Sequence, residues 1–107
     1  MAICGLRTIN QKVSNIMAQI LYASGDVKNI EPQNGTDFQL NELKKIVGGY
    51  IEIVYLSDKQ IMVVNEEGKL IGLPFNILAT EAYRMATQPN NETIVGDVLI
   101  CDVGQVK

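Results

Sequence analysis

The chain has 107 residues, 47% of them hydrophobic and 20% charged, so it fits one domain that buries roughly two thirds of its unfolded surface and is too apolar to stay disordered. Its 9 basic against 12 acidic side chains give a net charge of −3; neither sign forms a run, which disfavours direct nucleic-acid binding. There is no histidine, and the two cysteines, Cys4 and Cys101, stand near opposite ends; Ser-His and Cys-His catalytic pairs and His-containing zinc sites are thereby excluded, and a disulfide framework is argued against.

Residues 1–16 show neither a period of two nor one of 3.6 and read as a disordered extension or an unused upstream start, with a single domain over residues 17–107. They lack the continuous apolar segment of a signal peptide, and no apolar run in the chain reaches the roughly 20 residues of a membrane span, so a cytoplasmic protein without a membrane partner is expected. Ala18, Ile20 and Tyr22 alternate with their neighbours as in a strand. Ser24, Gly25 and Asp26 make a turn, and Val27 to Glu31 returns, ended by Pro32, as the second arm of a hairpin.

After the polar loop Gln33-Asn34-Gly35, Thr36 or Asp37 is placed to cap a helix. In that helix Leu40, Leu43, Ile46 and Val47 recur at three- and four-residue spacing opposite Asn41, Glu42, Lys44 and Lys45, an amphipathic pattern for packing on a sheet. Gly48 stops it in a left-handed conformation. Tyr50 to Leu56 is apolar on both parities except at Glu52, as a central strand would be. Ser57-Asp58-Lys59 reverses the chain into Gln60 to Val64, and Asn65-Glu66-Glu67-Gly68 reverses it again into a third strand, Lys69 to Ile71. Gly72-Leu73-Pro74 breaks that strand, and Asn76 is placed to cap a helix from Ile77 to about Ala86 with Leu78, Ala82 and Met85 facing inward. Thr87 to Thr93 reads as a polar loop, Ile94 to Asp102 as the last strand, and Val103 to Lys107 as a frayed tail. The fold class expected is α+β, with a mixed, largely antiparallel sheet of about five to six strands and two amphipathic helices.

The segments NEEGKLIGLPFN (Asn65 to Asn76), LKKIVGGYIE (Leu43 to Glu52) and IVGDVLIC (Ile94 to Cys101) resemble a family of small proteins of unknown function found in tailed phages, prophages and conjugative elements. The resemblance covers Ala18 to about Cys101 and implies a mobile-element origin in a bacterial host cell and a compact α+β domain. It implies no activity for any residue.

Each residue with functional promise also has a plain structural reading. Asn65, Glu66 and Glu67 present carboxylates to a partner, or are simply solvated in a turn; they lack the alternating acids of a calcium loop. Gly72, Pro74 and Asn76, with Leu73, line a pocket where backbone N–H groups hold an anion, or only join strand to helix. Asp97, after Gly96, sits at a pocket mouth, or marks a bulge whose carboxylate ties down nearby amides. Cys101 reads as a small buried hydrophobe. No metal site, cofactor or catalytic residue is assigned.

The preferred reading is a small non-enzymatic binding or interaction protein that modulates a host protein or captures a host signalling molecule. Two alternatives are kept. One is a small enzyme using carboxylates alone, from Glu52, Glu66, Glu67 and Asp97, which requires two of them to converge. The other is a nucleic-acid accessory module, which requires Lys44, Lys45, Lys59 and Lys69 to gather on one face. Unpaired strand edges leave a homodimer open.

Overall fold

A computed structural model describes residues 18–86 and 92–106 of the chain; the expectations for residues 1–16 and for most of the Thr87–Thr93 loop lie outside them. The elements run β1 (Ala18–Leu21), β2 (Val27–Ile30), α1 (Leu40–Val47), β3 (Ile51–Tyr55), β4 (Gln60–Asn65), α2 (Ile77–Ala86) and β5 (Val98–Asp102), followed by a 3-10 turn over Val103–Gln105. The strands form one antiparallel sheet in the order β2-β1-β5-β4-β3. The fold class is therefore α+β, with five strands and two helices among the described residues.

Strand alternation divides the core into two layers. Ile20, Ile61, Val63, Leu99 and Cys101 point to one face and cluster with Leu43 and Val47 of α1 and with Phe38. Leu21, Met62, Val64 and Val98 point to the other and cluster with Ala79 of α2, Leu56 and Ile94. A period of two on strands flanked by helices on both faces produces this result, and it explains why β4 and β5 are apolar at successive positions.

The α1 helix starts differently from expectation. Its N-cap is Gln39, whose backbone N–H donates to Glu42 Oε1 at 2.7 Å. Thr36 and Asp37 instead donate their backbone N–H groups to Asn34 Oδ1, both at 2.9 Å, shaping the preceding loop. Leu43 and Val47 are buried as the spacing predicts, but Leu40 in the first turn is 56% exposed. The helix ends at Gly48, at φ 82°, where the left-handed backbone favours glycine.

Four other expectations are corrected. The strand after Gly49 is not central: β3 lies at the sheet edge, and β5 takes the middle place. Its apolar residues on both parities reflect helices on both faces rather than strands on both sides. Lys69 to Ile71 is not a strand, since residues 66–72 form successive turns closed by hydrogen bonds from Gly68 N to Asn65 O and from Leu73 N to Gly68 O. Both edges of β4 are already occupied, by β3 and β5, so the segment after the turn cannot pair back onto β4 as a hairpin arm. The last strand starts at Val98, not Ile94, because Gly96 turns the chain at φ 79° and Val95 pairs separately with Phe75. The segment after Asp102 is no frayed tail: Phe38 N donates to Gln105 O at 2.7 Å, and Val106 bridges Phe38 and packs on the α1-side core.

The inner face of α2 is also rotated. Ala79 and Thr80 are buried, Leu78, Ala82 and Tyr83 are half-buried, and Met85 is 86% exposed. The anchoring of the helix start sets this rotation. The Thr80 hydroxyl accepts from Ile94 N at 2.9 Å and donates to Ile94 O at 3.3 Å, holding that side of the helix against the returning chain.

Candidate functional site

The residues singled out in the sequence do not share one site. Asn76 is fully buried. Its Oδ1 accepts from Ala79 N at 3.0 Å, capping α2, and its Nδ2 donates to Leu21 O and Gly96 O, both at 2.8 Å. Asp97 Oδ1 accepts from Ala23 N at 2.9 Å, tying the end of β1 to the approach to β5. Pro74 and Asp97 line a shallow depression with Lys45 and Gly48, whereas Gly72 is an exposed turn position. Asn65 is buried, donates from Nδ2 to Val47 O at 3.0 Å and accepts from Glu67 N at 2.8 Å. Glu67 lies in a second depression with Tyr50, whose ring has Lys44 Nζ 4.9 Å from its centroid.

Glu66 belongs to a different feature, a groove of about 170 Å³ on the α2 face of the sheet. Five strands about 4.8 Å apart span about 19 Å between outer axes, and one helix with its side chains covers only about 10–12 Å of that width. Both outer strands are accordingly left partly uncovered on this face: Val27 of β2, opposite Leu21, is 49% exposed, and Val54 of β3 is half-buried at the groove. Val54, Val64, Ile94 and Val95 give the groove an apolar lining, with Tyr83 of α2 on one side and Leu70 of the turn on the other. Glu52, Glu66 and Glu92 stand against one cation, Lys69. Lys69 Nζ is 3.0 Å from Glu92 Oε1, with both side chains more than half exposed, so this pair adds little stability while engaging the only positive charge among the described residues that line the groove. Glu52 on β3 lies directly opposite Val64 on β4.

Most of these lining residues escaped the sequence reading because α2, the 66–72 turns and the Glu92 to Val95 segment meet only in three dimensions. Leu70 was hidden by the expected Lys69 to Ile71 strand; in the turn it is an aliphatic side chain without a buried face, 87% exposed.

The chemistry open to the groove is limited. Its carboxylates, Glu52, Glu66 and Glu92, are all exposed to solvent. Among the described residues no cluster of His, Cys, Asp and Glu is arranged to hold a metal ion, and no helix is long and apolar enough to cross a membrane. Cys101 is buried and its thiol is pushed up from 9.0 to about 12, first by burial and then by the neighbouring Asp102 charge, which keeps it from serving as a thiolate nucleophile at neutral pH.

Residues 18–106 match the family model described as "Domain of unknown function (DUF3846)". The chain belongs to that family. Searches of curated proteins and of solved structures return no match.

Proposed function

From that family membership, which assigns no chemistry, we propose that the chain is a non-enzymatic binding protein whose partner is another protein, seated on the groove beside β3. The observation that carries this reading is the size and make-up of the groove: an open volume of about 170 Å³ with an apolar lining and solvated carboxylates. Small-molecule sites usually enclose about 300–1,000 Å³ and bury most of the ligand. A smaller open groove suits one or two side chains presented by a macromolecule. The motif resemblance to mobile-element proteins supports a host protein as that partner and the bacterial cytoplasm as the place of encounter.

Affinity capture from bacterial host lysate with wild type and a Leu70→Asp variant tests the proposal. Leu70 is 87% exposed, so the substitution alters the groove without disturbing the core. Specific loss of one captured protein with Leu70→Asp is the expected result. Stabilisation of the chain by a member of a nucleotide or cyclic-nucleotide library, with no captured protein sensitive to Leu70→Asp, overturns it in favour of capture of a signalling molecule.

A further inference from the structure

The hydrogen-bonding parity of β3 extends that reading to a binding mode. Tyr50 O accepts from Glu66 N and Leu56 N donates to Gln60 O, so together with the register Glu52↔Val64 and Val54↔Met62 the even-numbered residues turn their backbone groups toward β4. Alternation then turns the N–H and C=O groups of Ile51, Ile53 and Tyr55 outward. Among the described residues no strand or bridge pairs with this edge. The edge carries no proline or lysine, devices that commonly guard an open edge. By contrast, the opposite edge strand, β2, has Lys28.

Resting on the proposed groove, we propose that β3 accepts an extended basic segment of the partner protein as an added strand of the sheet. Charge complementarity selects the occupant. A residue of the added strand opposite Glu52 or Val54 projects to the same face as those side chains, over the groove, because directly opposed residues share a face. There it meets Glu52, Glu66 and Glu92, of which only Glu92 has Lys69 beside it. Lysine or arginine opposite Glu52 therefore gains a cross-strand ion pair, and an aliphatic residue opposite Val54 covers the apolar lining. Main-chain bonds to Ile51, Ile53 and Tyr55 supply affinity independent of sequence, and the groove supplies the preference for basic side chains.

The test uses the full chain and three synthetic seven-residue peptides with threonine at every other position: one with lysine, valine and lysine at the intervening positions, which share the face over the groove, one with glutamate, valine and glutamate there, and the lysine peptide N-methylated on the backbone amides that face β3. Binding of the lysine peptide at least about tenfold tighter than the other two is expected, since N-methylation removes strand pairing and glutamate meets like charge. Glu52→Lys should reverse the preference between the charged peptides, and Tyr55→Pro, which removes an outward N–H at an exposed position, should weaken the lysine peptide about tenfold. Equal binding of the methylated and unmethylated peptides overturns strand addition, as does failure of all three peptides to bind. A dimer in light scattering that Tyr55→Pro dissolves also overturns it, by making a second copy the occupant. Loss of the captured lysate protein with Leu70→Asp but not with Tyr55→Pro leaves the groove standing and removes only the added strand.

Discussion

The side-chain amide of Asn76 donates a 2.8 Å hydrogen bond to the carbonyl of Leu21, a residue 55 positions earlier in the chain. The same nitrogen reaches Gly96 O, and the side-chain oxygen caps α2 at Ala79 N. One buried amide thus joins the end of β1, the approach to β5 and the start of α2.

Asn76→Asp separates the two tasks of that side chain. Aspartate still caps the helix but donates nothing to Leu21 or Gly96 and brings a charge into a buried position. A loss of about 2–4 kcal/mol in urea unfolding is expected for both Asn76→Ala and Asn76→Asp, from buried carbonyls left unsatisfied. A near-neutral Asn76→Asp would show that capping alone matters.

Two glycines with similar backbones should respond differently to alanine. At Gly48, at φ 82°, an added methyl meets open space, and Gly48→Ala should cost about 1 kcal/mol from the left-handed backbone alone. At Gly96, at φ 79°, the methyl would lie 2.7 Å from Leu73 Cδ1. Gly96→Ala should be the more destabilising of the two in parallel urea titrations, by about 1–3 kcal/mol of added overpacking.

The raised Cys101 thiol predicts an alkaline loss of stability. Its folded value, about 12, lies above its ordinary 9.0, so its contribution is complete below about pH 9 and is lost as pH rises toward 12. Across pH 9 to 11, wild type should therefore lose more stability than Cys101→Ala. In a Cys4→Ser background, native protein should resist a thiol reagent that reacts promptly after unfolding.

Ending the chain at Asp102 tests the role of the last residues. It removes the Gln105 carbonyl that accepts from Phe38 N and the packing of Val106 against the core. A loss of about 1–3 kcal/mol is expected in thermal or urea unfolding, from one buried hydrogen bond and one half-buried aliphatic side chain. A truncated chain as stable as the full one would return this segment to the status of a frayed tail.

What the sequence by itself determined is what local physics controls. The Ala18 to Glu31 hairpin, the stop at Gly48, the reversal after Leu56 and the cap at Asn76 each follow from turn chemistry or a capping side chain within a few residues of the effect. The aspartate after Gly96 was also readable as a group that ties down an amide, though not that the amide belongs to Ala23. Only the tertiary structure decided the strand order, because an apolar pattern on both parities looks the same in a central strand and in an edge strand between two helices. That order kept Lys69 to Ile71 from pairing back onto β4, since β4 has two edges and β3 and β5 fill them. It also placed Glu52, Glu66, Tyr83 and Ile94 around one groove. Their meeting depends on the strand order, which sets β3 and β4 beside α2 and the chain that leads into β5, a neighbourhood of residues far apart in sequence.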